Sequence, residues 1–102
     1  MVRKAHRGAE RDFLQSLAYY DSKSLELGDR FMAAFEHAVA EIQKDPERWP
    51  MDGNKARRCE LDRFPFGVIY VVRGEILHIV ALAHHKRRPN YWRKRLKDIE
   101  DN

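Results

Sequence analysis

The chain has 102 residues, 43% hydrophobic and 35% charged, with a net charge of +4. Such a length holds one domain, residues 1–102, with a modest core, and the composition excludes a disordered chain. No apolar run approaches the roughly 20 residues that span a bilayer, and the opening MVRKAHRGAE has no signal-peptide core, so a cytoplasmic protein without a membrane partner is expected.

In chain order, VRKA at 2–5 is a short candidate strand. From Glu10 the pattern turns helical: Phe13, Leu14, Leu17 and Ala18 recur at spacings of three and four, with Tyr20 or Tyr19 closing the stripe. The polar stretch 21–24 predicts a break, with Ser22 or Ser24 as cap for a second helix. Its apolar face is Leu27, Phe31, Phe35, Ala38, Val39 and Ile42, which completes an antiparallel helical hairpin. Pro46 and Pro50 end the helical region, Asp52-Gly53-Asn54 continues the turn, and Trp49 is expected to plug the core.

The remainder reads as strands. Residues 57–61 form a short one, and 67–72 and 75–84 form a hairpin about Arg73-Gly74. In 75–84, strict alternation sends Ile76, His78, Val80, Leu82 and His84 one way and Leu77, Ile79, Ala81 and Ala83 the other. Both faces are largely apolar, which predicts a central strand covered on one side by the helices and on the other by a C-terminal helix or a partner. That last helix is expected from near Asn90, with Trp92, Leu96 and Ile99 as its buried stripe. The fold class expected is α+β, a helical hairpin packed on a small antiparallel sheet.

Cys59, the only cysteine, closes no internal disulfide and reads as a small buried hydrophobe. No glycine-rich phosphate loop or metal-ligand spacing is present, so neither metal nor cofactor is called for; the adjacent His84 and His85 diverge on a strand. Charge is segregated: residues 1–52 carry 8 basic and 10 acidic side chains, residues 53–102 carry 12 and 6. Seven Lys or Arg stand in residues 86–97. Lys86, Arg87, Arg88, Tyr91, Arg93, Lys94, Arg95 and Lys97, with the two histidines, could grip an acidic partner or a phosphate backbone. They also offer the residue types for acid–base chemistry on RNA.

DPERWP at 45–50, RFPFGVIY at 63–70 and the strand ending HHKRRPNYW at 84–92 resemble the RelE/ParE superfamily of type II toxins, in its ParE-like branch. The resemblance covers nearly the whole chain. It implies a toxin neutralised by a small, net-acidic, ParD-like antitoxin, with which it forms a hetero-oligomer. ParE-like members block DNA gyrase; RelE-like members cut messenger RNA on the ribosome. RelE-like enzymes place an Arg where this chain has Gly67, and a basic residue where it has Glu60, although Arg58 is retained. Losing that Arg removes transition-state stabilisation. The leading expectation is therefore a non-catalytic toxin that grips gyrase through Lys86, Arg87, Arg88, Tyr91, Arg93, Lys94 and Arg95. The alternative is a metal-free endoribonuclease using Arg63, His84 or His85, and Tyr91, and a third reading is a degenerate antitoxin-binding module. The antitoxin is expected on an apolar sheet surface and the nearby cluster, at Val80, Leu82, His84, Arg87 and Arg88.

Overall fold

One residue divides the helical half of the chain. The computed structural model, which describes residues 1–53 and 55–100, begins with strand β1 (Val2–Ala5), helix α1 (Arg7–Lys23) and helix α2 (Leu25–Lys44). Ser24 ends α1 by donating its N–H to Tyr20 O at 3.1 Å, and starts α2 by accepting the Leu27 N–H on its hydroxyl at 3.0 Å. Residues 21–23 thus stay helical, and the Ser22 hydroxyl donates back to Tyr19 O instead of capping α2. Helix α1 starts ahead of Glu10 because His6 Nδ1 accepts the Gly8 N–H at 2.8 Å.

The α2 stripe follows the spacing from Phe31 on, with Phe31, Phe35, Ala38, Val39 and Ile42 buried, while Leu27 at its start is half-buried. On α1, Phe13, Leu17 and Tyr20 face the core, while Leu14, Ala18 and Tyr19 are exposed. The inward face includes Asp12, 7% exposed.

Strands β2 (Met51–Asp52), β3 (Ala56–Glu60), β4 (Phe66–Arg73) and β5 (Ile76–His84) complete a five-stranded sheet in the order β1-β5-β4-β3-β2. The α+β architecture is as expected, but the sheet is mixed: β1 pairs parallel to β5, and the other pairs are antiparallel. No tight turn joins β1 to β5, so nothing forces them antiparallel. The two-residue β2 lies outside the sequence reading, and Asn54 of the expected turn lies outside the described residues. The β4–β5 loop is Gly74-Glu75, one residue on from the link expected. Gly74 has φ +59° and Glu75 a negative φ, the signature of a type II′ turn.

A bulge overturns the alternation expected for β5. Ile69 pairs with Ala81 but Tyr70 pairs with Ile79, which leaves Val80 as the extra residue. Leu77, Ile79 and Leu82 consequently join the helix-side core, whereas Val80, Ala81 and Ala83 join a second core on the opposite face. That second face is closed within the chain by Trp92, Leu96 and Ile99. They are carried by a 3-10 turn (Arg93–Arg95) and helix α3 (Leu96–Glu100). The helix does not begin near Asn90, whose φ of +64° is a left-handed turn.

Cys59 is buried, which pushes its thiol up to about 11. Trp49 packs against the helix-side core, its loop fixed by the Arg57 guanidinium donating to Trp49 O at 2.7 Å. The Tyr70 hydroxyl donates to Pro46 O at 2.6 Å. Among the described residues, no helix is long and apolar enough to cross a membrane.

Candidate functional site

Strand β1 pairs with β5 only as far as Ile79. Buried backbone groups beyond that point still need partners, and side chains supply them. Asp12 Oδ2 accepts the Leu82 N–H at 3.2 Å, Arg95 Nη1 donates to Val80 O at 3.0 Å, and the Tyr91 hydroxyl lies 3.3 Å from Leu82 O. The three side chains also bind one another: Arg95 Nη1 and the Tyr91 hydroxyl donate to Asp12 Oδ2 at 2.8 and 2.9 Å. Gly8 makes the room, since a Cβ there would collide with the Arg95 guanidinium. At the far end of the same segment, His6 Nε2 lies 2.5 Å from Asp98 Oδ2. Residues 91–99 therefore form a strap pinned to α1 and β5.

Two residues expected to meet a target or do chemistry are thus committed to the fold. Arg95 is the partner of a buried carboxylate. Burial, and then the charge of Asp12, push the Tyr91 hydroxyl up to about 12. The Arg87 guanidinium stacks 3.7 Å above the Tyr91 ring.

The histidines diverge, His84 ending β5 and His85 opening the turn that follows. His84 packs edge-on against Phe66 at 4.9 Å and lines an open cleft of about 500 Å³ with Asp12, Tyr19, Tyr20 and Arg87. Its Nδ1 accepts the Lys86 N–H at 3.0 Å, and burial, His85 and Lys86 together lower its pKa. His85 Nε2 lies 2.6 Å from Glu60 Oε1 instead. Glu60 Oε2 accepts from Arg58 Nε at 2.6 Å, and Arg58 Nη2 donates to Ala83 O at 3.2 Å. Gly67 is the floor of this clamp: a Cβ there would run into Arg58 Nε and Glu60 Oε2. Arg63, in a left-handed loop position at φ +68° with an exposed side chain, lines neither the His84 cleft nor the cleft beside His85. Of the four residues considered for ribonuclease chemistry, His84, His85 and Tyr91 line the cleft beside His85, whereas Arg63 stands apart from it.

A sequence profile described as "ParE toxin of type II toxin-antitoxin system, parDE" matches residues 4–89. The chain belongs to the ParE toxin family. It is a ParE-type toxin of a type II toxin–antitoxin system. A solved structure described as "Chromosomal ParDE TA system from P. aeruginosa" shares its fold, with a TM-score of 0.55 at 22% identity over 82% of this chain and 95% of that one. No curated protein sequence matches it.

On this ParE-family toxin Lys86, Arg88, Arg93 and Lys94 are exposed and enter no ion pair among the described residues. Val80 and Leu82 are 0% and 2% exposed and lie in different cores, so they share no sheet surface that a partner could reach. Asp12 escaped the sequence reading, although it left a signal. It sits within the stripe Ala9, Phe13, Ser16, Leu17 and Tyr20, where a lone carboxylate in an inward face demands a buried cation.

Proposed function

We propose that this ParE-type toxin arrests growth without catalysis, by binding DNA gyrase in the cytoplasm through the exposed cations of its C-terminal segment. The observation that carries the reading is the contrast between engaged and free groups. Tyr91, His85 and Arg58 are held by Asp12 and Glu60, and Gly67 brings no cation to the strand. Lys86 and Arg88 stand solvated on the turn after β5, and Arg93 and Lys94 on the strap whose geometry the Asp12 network fixes. A prearranged positive surface suits a large acidic partner. Purified toxin is expected to inhibit gyrase supercoiling, and replacing Arg88, Arg93 and Lys94 by Glu should abolish inhibition without unfolding the protein. Full supercoiling at micromolar folded toxin, or discrete transcript cuts on primer extension after induction, would overturn the reading.

Neutralisation is assigned to a ParD-like antitoxin that lays an acidic, amphipathic segment along the cleft between α1 and the end of β5. Tyr19 and Phe66 offer the apolar contact there, and His84 and Arg87 line the same cleft, with Arg88 next in the chain. Reversing Arg87 and Arg88 to Glu should slow antitoxin association and flatten its salt dependence.

A further inference from the structure

The Arg58–Glu60–His85 cluster has the form of an anion site that already contains its anion. Both Glu60 carboxylate oxygens are used, one on His85 Nε2 and one on Arg58 Nε, each at 2.6 Å. A bridging carboxylate between a guanidinium and an imidazole stands where two phosphate oxygens would stand. Its seat is prepared as well: Gly67 leaves the floor open, and any side chain there would displace the carboxylate and the guanidinium together. A cleft of about 210 Å³ adjoins the clamp, lined by Arg58, Ala83, His85, Arg87, Arg88 and Asp52. Asp52, whose Oδ2 lies 3.7 Å from Arg58 Nη1, is the carboxylate on that lining. Removing the Glu60 charge leaves Arg58, Arg87, Arg88 and His85 facing Asp52 alone.

We propose that Arg58 and His85 form a phosphate-binding site that Glu60 keeps filled, so that the intact toxin holds no phosphate at this strand end and loss of Glu60 opens the site. The inference does not rest on the gyrase reading, although Arg88 enters both, since it is tested on purified protein without any target. It explains why Gly67 and Glu60 occur together: the glycine admits the clamp, and the clamp removes Arg58 and His85 from the pool of anion-seeking groups.

The test is a titration of Glu60→Ala and wild-type toxin with inorganic phosphate, read by calorimetry and by the NMR signals of the Arg58 Nε–H and the His85 ring. Glu60→Ala is expected to bind phosphate at least about tenfold more tightly than wild type, with both signals moving. Adding Arg58→Gln should abolish the gain. Glu60→Gln, which keeps the side-chain volume, serves the same comparison should Glu60→Ala melt early. A folded Glu60 variant with wild-type phosphate affinity would overturn the proposal. So would a gain that survives Arg58→Gln, because the exposed cations of residues 86–97 would then be binding the phosphate.

Discussion

The two faces of the sheet are closed by different physics. The helix side is an aromatic core: Phe13 packs on Phe35 at 4.9 Å, Tyr20 on Phe31 at 4.9 Å, and Phe31 on Phe66 at 5.3 Å. The strap side buries smaller groups, Ala56, Ile69, Val80, Ala81 and Ala83, beneath Trp92 and Ile99, and depends on the Asp12–Tyr91–Arg95 network for its edge. Non-directional burial tolerates small displacements, whereas a carboxylate with a buried guanidinium does not. The face that presents the basic surface is thus the one held by a few directional contacts.

The contrast can be broken from the aromatic side first. Phe35→Ala should cost about 3–5 kcal/mol, close to the whole stability of a small domain, and appear as a large drop in melting temperature shared by both faces. On the strap side, Asp12→Asn leaves the buried Arg95 guanidinium without a balancing carboxylate and should cost about 3 kcal/mol. Its signature is local: amide exchange at Leu82 and at the Trp92 indole should accelerate before global unfolding. Uniform acceleration across α1 and α2 would show that the strap has no independent stability.

A third test compares one tyrosine from each face. Tyr70 and Tyr91 are both pushed up to about 12 by burial, against about 10 for an unfolded tyrosine. The unfolded chain therefore loses these protons first as pH rises. Their contribution is fully present below about pH 10 and is lost as pH climbs towards about 12. Alkaline melts should show this loss, with Tyr91→Phe and Tyr70→Phe each removing part of it. The smallest effect expected is from Ser24→Ala, about 1 kcal/mol, seen as fraying where α1 meets α2.

What was legible in the sequence followed from periodicity and turn chemistry. The α2 stripe, the β4–β5 hairpin, the inward Cys59 and the Trp92–Leu96–Ile99 stripe all obey local rules. The β5 facing did not, because one bulged residue at Val80 changes the phase of the strand without altering its composition. That shift put Val80 and Leu82 on different faces, and the cover of Trp92 and Ile99 closed the expected partner surface. The role of Asp12 was hidden for another reason: its partners lie 70, 79 and 83 residues away, beyond any local pattern. Gly67 and Glu60 were visible as departures from RelE-like members, but only the fold shows that Arg58 and Glu60 meet above that glycine.

The placement of β1 beside β5 has a consequence for the toxin during its own synthesis. Val2 pairs with Ile76, and Asp12 waits for Tyr91 and Arg95, so these early elements find their partners 74 to 83 residues later. A nascent chain holding only residues 1–60 has a helical hairpin and no central strand, and its long-range contacts must wait for the loop to close. The strap that displays the basic surface can lock only after Arg95 has left the ribosome. An interval therefore separates the making of the helical hairpin from the setting of the positive surface.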